Sequence, residues 1–153
     1  MKDQYMQVLS ANQAVVKVKV TKWEDAVRSA GRLLVDCGFA EERYIEGMLN
    51  LTRELGPYIV LAPGIAIPHA RPEEGALKVG FAVLTLDPPI NFGNEYNDPV
   101  HLVIGFCSPS ANGHVKLLTR IARILGAENF LEKCKAASTP AELADVFNLQ
   151  KIE

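Results

Sequence analysis

The run Leu61-Ala-Pro-Gly-Ile-Ala-Ile-Pro-His-Ala-Arg-Pro72 joins an apolar, β-favouring segment to a polar one at a single proline. Proline fixes φ and has no N–H to donate, so Pro68 ends ladder pairing and marks a strand terminus. His69 follows at once, on a rigid strand end where a pocket rather than a core is expected to begin. Arg71 and Pro72 come next, so a His-x-Arg pair sits between two prolines that limit how far the loop can wander. That stiffness reads as preorganisation of a polar group. By itself it does not name the chemistry, because a single histidine is often only a satisfied structural group.

Outward from this point the pattern is strand-rich. Tyr58–Leu61 and Ile65–Ile67 read as short strands about a Pro63-Gly64 turn. Val79–Leu86 is a near-continuous apolar run, expected to be a central strand buried on both faces, and Pro99–Cys107 is a second. Asp87-Pro-Pro89 reads as a turn between them, with Ile90–Gly93 as a brief edge strand. Upstream, residues 3–9 fit a short amphipathic helix, and Ala14–Val20 alternates apolar and basic residues in its second half, as a half-exposed strand does.

Thr21-Lys-Trp-Glu24 reads as a capping box that opens a helix with Trp23, Ala26, Val27, Ala30, Leu33, Leu34 and Cys37 on its inner stripe. Gly38 ends it. A second helix spans about 41–55, with Tyr44, Ile45, Met48, Leu49 and Thr52 facing inward, and Gly56-Pro57 closes it. After the second long strand, Ser108–Gly113 reads as a polar loop into a helix over about 114–125. Shorter helices follow near 128–135 and 141–149, the last introduced by Thr139-Pro140 with Glu142. Strands interleaved with helices give an α/β fold: one mixed β-sheet flanked by helices on both faces, in a single domain over 1–153.

The bulk numbers exclude several function classes. At 153 residues, 48% hydrophobic and 22% charged, the chain is long enough for a sizeable core. A net charge of −2 and a pI near 5.9 leave no basic footprint for nucleic acid. No apolar run is long enough to cross a bilayer, and the first residues lack the apolar region of a signal peptide. Three scattered cysteines without CxxC spacing read as reduced, mostly buried thiols. A soluble cytoplasmic protein is the expectation.

The residues with chemical promise are few. His69 ends one strand, His114 opens a helix after another, and Arg53 lies in the last turn of the helix before the His69 region. In layered α/β folds ligands gather at strand ends and helix starts, so the two histidines can converge. A helix beginning near Ala111–His114 would also offer free amides to an anion. Two histidines, an arginine and a helix N-terminus describe a phosphate-handling pocket better than a hydrolytic one. His101, inside a strand, reads as structural. Metal binding by His69, His114 and Cys107 finds no supporting spacing, and neither a G-x-S-x-G elbow, a Walker loop nor a dinucleotide fingerprint is present. Glu73-Glu74 and the Asn94–Asp98 segment read as solvated loops.

Gly64-Ile-Ala-Ile-Pro-His69 resembles the phosphorylation-site motif of the mannitol/fructose-type EIIA domains of the bacterial sugar phosphotransferase system. The resemblance runs over nearly the whole chain: the two opening helices, Arg53 sixteen residues before His69, the two apolar strands, and Asn112-Gly-His114 leading into Leu117-Leu118. Gly56–Pro63, Arg71–Gly75 and Asn97–Val100 are most similar to the ascorbate-specific branch. The resemblance implies the mannitol/fructose-type EIIA fold and a phosphotransferase component with a phosphohistidine intermediate. His69 would accept a phosphoryl group from phospho-HPr and pass it to a cysteine of a cognate EIIB, with the membrane EIIC reached only indirectly. His114 matches the family's second active-site histidine and Arg53 its arginine near the phosphate. Arg71 has no role carried over; docking a partner or screening the phosphate would suit it. An apolar rim of Ile67, Val115 and Leu118 would seat the two partners in turn.

No cofactor and no metal are expected. A homodimer is compatible with a surface that already serves alternating partners, although no sequence stripe demands one. Two other readings stay open. One is a regulatory, nitrogen-type EIIA that keeps the phosphohistidine but signals to protein partners; the other is an unphosphorylated small-ligand or metal-binding module.

Overall fold

A computed structural model describes residues 9–149. Its centre is a five-stranded sheet of β1 (Ala14–Val18), β2 (Val60–Ala62), β3 (Ile65–Ala66), β4 (Gly80–Ile90) and β5 (Val100–Cys107), in the order β1-β4-β5-β3-β2. β1 runs parallel to β4 and β3 parallel to β5, while β4 and β5 are antiparallel, as are β2 and β3. The sheet is therefore mixed. Helices α1 (Trp23–Asp36) and α2 (Arg43–Leu55) cover one face, and α3 (Ala111–Leu125), α4 (Phe130–Ala136) and α5 (Pro140–Asn148) cover the other.

Strand alternation divides the core between these faces. Phe81, Val83, Leu102, Ile104 and Phe106 pack with Leu117, Ile121, Phe130 and Phe147. Ala82, Leu84, Val103 and Cys107 pack with Val27, Leu34, Tyr44 and Met48. Burial on both faces is why β4 and β5 read as continuous apolar runs. At Gly105 an added Cβ would lie 3.0 Å from that of Ala30, so the missing side chain lets α1 settle close to the sheet.

Several boundaries differ from the sequence expectation, each for a local reason. The helix expected over 3–9 falls, apart from Leu9, outside the described residues. No Thr21 capping box forms: Lys22 is the N-cap of α1, and its carbonyl takes the Asp25 and Ala26 amides. At the other end Gly38, with φ +80°, forms a complete Schellman closure, since its N–H reaches Val35 and that of Phe39 reaches Leu34. Tyr58 and Ile59 lie in a 3-10 turn over Gly56–Ile59 rather than in a strand, because Pro57 occupies its first turn. Asp87-Pro-Pro89 does not turn the chain. β4 runs through it with a shifted register and Ile90 still pairs with Val100, the two prolines lying where the ladder is interrupted. α3 begins at Ala111, three residues early, because the Ser110 side chain caps it by accepting the Gly113 N–H (3.0 Å). Thr139 caps α5 as expected, with Pro140 at its first position.

β3 and β5 are adjacent and parallel, so both carboxyl ends emerge at one edge of the sheet. The first delivers Ile67-Pro-His69 and the second delivers Phe106-Cys107 and then α3. Polar groups on these two connections must meet.

Candidate active site

They do meet. The imidazoles of His69 and His114 lie edge to face with centroids 5.0 Å apart. Both pack on the Phe106 ring, at 4.7 and 4.9 Å. Phe106 is fully buried and belongs to the α3 side of the core, so the two imidazoles rest on a rigid aromatic floor. Nothing in the sequence marked Phe106 beyond its place at the end of a buried strand.

His69 is half-buried, and its Nδ1 lies 2.9 Å from the carbonyl oxygen of Ile67. A carbonyl only accepts, so Nδ1 carries the proton and Nε2 keeps its lone pair. Burial lowers the pKa of His69 below the ordinary 6.5; the Ile67 hydrogen bond opposes this and the neighbouring His114 adds to it. Burial lowers that of His114 as well. Both rings are thus neutral at neutral pH. The Nδ1 atom of His114 is buried and has no hydrogen-bond partner among the described residues.

His114 sits at the fourth position of α3 rather than at its opening, and its amide is bonded to the Ser110 carbonyl. With the Gly113 amide taken by Ser110, the Ala111 and Asn112 amides are left at the helix start with no partner among the described residues.

The loop after His69 is built rather than loose. Tyr44, fully buried on α2, accepts the Ala70 N–H at 3.0 Å and donates to the Phe106 carbonyl at 2.9 Å. Glu74 accepts the Arg71 N–H at 2.9 Å, closing a 3-10 turn over Pro72–Glu74. Glu74 is therefore a turn-forming residue and not merely a solvated acid. Likewise Asp98 accepts the Phe92 and Gly93 amides, and Asn94 and Asn97 donate to the Val60 carbonyl, so that loop braces β2.

The arginines stand further out. Arg53 is exposed in the last turn of α2, donates to Asn50 Oδ1 at 3.2 Å and lies 6.0 Å from the centroid of Trp23. It helps line a crevice of about 250 Å³ with Trp23, Pro57 and Phe92. Arg71 is exposed and 3.3 Å from Glu54. Of the expected rim, Val115 is exposed and Leu118 half-buried, but Ile67 is 1% exposed and belongs to the core, as the inward residue ahead of Pro68 must. His101 lies at the opposite end of β5, beside Lys17, Asp87 and Lys135. Cys107 points elsewhere, its thiol donating to the Phe39 and Lys78 carbonyls and its pKa pushed by burial up to about 12. Among the described residues no group of three His, Cys, Asp or Glu is placed to hold a metal, and no helix is long and apolar enough to cross a membrane.

Known proteins match over nearly this whole chain. The family model for the phosphoenolpyruvate-dependent sugar phosphotransferase system, EIIA 2, matches residues 7–149. A curated relative from Shigella boydii, an ascorbate-specific PTS system EIIA component, is 37% identical over 142 residues, 92% of each chain. Among solved structures, the mannitol-specific cryptic phosphotransferase enzyme IIA of Escherichia coli superposes with a TM-score of 0.79 at 32% identity, covering 92% of this chain and 94% of that one. Enzyme IIAMTL of Escherichia coli, solved in complex with phosphorylated enzyme IIBMTL, gives 0.79 at 27% identity over 91% and 96%. With its mixed sheet and a histidine after β3 paired with one in the first turn of α3, the chain belongs to the EIIA 2 family of the phosphoenolpyruvate-dependent sugar phosphotransferase system.

Proposed function

We propose that this chain is a single-domain cytoplasmic phosphocarrier that takes a phosphoryl group from phospho-HPr onto Nε2 of His69 and yields it to the cysteine of an EIIB. The carrying observation is the hydrogen bond from His69 Nδ1 to the Ile67 carbonyl, which leaves Nε2 as the nucleophile. In the first step Nε2 attacks phosphorus as the bond to the HPr histidine breaks. In the second an EIIB thiolate attacks the same phosphorus and His69 returns to its neutral state. Phosphorylation at Nε2 makes the ring cationic, and the Ile67 carbonyl then accepts from a more acidic N–H, which stabilises the intermediate.

His114 supplies the complementary tautomer. Its buried Nδ1 meets no partner among the described residues, and we assign the proton to Nε2, the nitrogen left to meet a phosphoryl group. His114 then donates to the phosphoryl oxygens, and the start of α3 adds partial positive charge. Arg53 would complete the charge stabilisation by leaving Asn50 and Trp23 for the phosphoryl group. Little covalent work remains for the protein beyond positioning and charge. The curated relatives support ascorbate as the sugar acid served. Charging the chain with phosphoenolpyruvate, enzyme I and HPr, then offering EIIB proteins of ascorbate and mannitol systems, tests this. Faster discharge to the ascorbate EIIB is expected; discharge to neither would overturn the transport role.

A further inference from the structure

One face of α2 lies against the loop that carries His69. The Tyr44 hydroxyl accepts the Ala70 N–H at 3.0 Å, and its own proton is shared between the Phe106 carbonyl at 2.9 Å and that of Ala70 at 3.2 Å. Ala70 follows His69, and Phe106 is the floor under both imidazoles. One hydroxyl therefore joins the loop of the first histidine to the strand that supports both. One turn along, at Gly47, an added Cβ would lie 3.1 Å from the Ala70 Cβ and 3.1 Å from the Glu74 carboxylate. A Cβ there must push the loop and the Glu74 carboxylate back by a few tenths of an ångström.

We propose that Tyr44 is a positioning residue for phosphoryl transfer, its hydroxyl, with the gap at Gly47, seating the His69 loop on α2 and so setting the angle between the two imidazoles. The inference rests on the phosphocarrier reading and deepens it. The ring of His69 is anchored from the N-terminal side by Ile67, and the backbone after it is anchored from the C-terminal side by Tyr44. Both anchors are needed, because an imidazole held at one end still swings with its peptide. Tyr44→Phe keeps the ring and its packing but leaves the Ala70 N–H and the Phe106 carbonyl without their partner. Those groups then draw in water or shift. A displacement near 1 Å at a reacting centre lowers rate by roughly 10²-fold.

The test compares wild type, Tyr44→Phe and Gly47→Ala in single-turnover phosphorylation by phospho-HPr, with long-range ¹⁵N NMR of the His69 imidazole and thermal melting. For Tyr44→Phe a maximal rate lower by roughly 10- to 10²-fold is expected, at an unchanged half-saturating HPr concentration. The His69 spectrum should change from one tautomer to a mixture. A merely structural role would lower the melting temperature alone, and a wild-type rate with a single tautomer in Tyr44→Phe overturns the proposal. Should Tyr44→Phe not fold, Gly47→Ala carries the test, since it lifts the same loop with the hydroxyl retained; wild-type behaviour there is equally fatal. If wild type itself takes no phosphate, the carrier reading fails, while the tautomer measurement still reads what Tyr44 does.

Discussion

The Nδ1–H of His69 donates to the carbonyl oxygen of Ile67 across 2.9 Å, a bond that spans Pro68 and ties the ring to its own chain two residues back. The tether sets the tautomer, while the Tyr44 hydroxyl, holding the Ala70 N–H, anchors the backbone on the other side of the ring. In the proposed mechanism the tether selects the nitrogen that reacts. The phosphoryl group is expected on Nε2, and ¹⁵N shifts of the phosphorylated protein distinguish the two positions; a bond at Nδ1 would show that the tether opens before transfer.

In the proposed mechanism His114→Ala takes one donor away from the phosphoryl oxygens and leaves His69 as the nucleophile. Its transfer rate is expected to fall roughly 10²–10³-fold, as for loss of one preorganised donor, with the phosphorylated form still obtained at long times. Arg53→Ala is expected to slow transfer with the melting temperature nearly unchanged, because Arg53 is exposed and its hydrogen bond to Asn50 is local to the surface of α2. Rapid-quench measurement against wild type checks both.

Much of this site was legible in the sequence, and for a physical reason. Pro68 must end β3, so a histidine placed after it must sit at a strand end, and two long apolar strands must lie side by side in the middle of the sheet. α3 starts ahead of its expected position because Ser110, which reads as part of a loop three residues before a glycine, is a cap. β4 runs beyond its expected end because prolines 88 and 89, which read as a turn, are tolerated by an interrupted ladder. Tyr44 and Phe106 read as core from their periodicity and are fully buried. Their second role depends on a hydroxyl and a ring meeting residues distant in sequence, and helical periodicity carries no signal for that.

Acid should weaken both fold and transfer. Burial lowers the pKa values of His69 and His114 in the folded chain, whereas the unfolded chain takes up these protons near 6.5. Below that pH the unfolded state binds more protons than the folded one, so stability is present above about 6.5 and is lost as pH falls toward the lowered values. The urea midpoint is expected to drop between pH 7 and pH 5 (range chosen about the reference value), and to drop less in the His69→Ala, His114→Ala double variant. A midpoint that rises on acidification would contradict the neutral pair.

Gly64 stands at φ +78°, and an added Cβ would lie 2.8 Å from Leu131 Cδ2. Gly64→Ala therefore combines left-handed strain with a clash against α4. A loss of about 1–2 kcal/mol from the backbone alone is expected, seen as a lower urea midpoint. Gly38→Ala meets no neighbour within 4 Å and serves as the control for backbone strain without the clash.

The most direct measurement is intact mass after incubation with phosphoenolpyruvate, enzyme I and HPr, on wild type and on His69→Ala side by side. The wild-type chain should gain one acid-labile phosphoryl group and the variant none. A phosphoryl group on His69→Ala, or none on wild type with an HPr that charges a known EIIA, would contradict the assignment of His69 as the carrier.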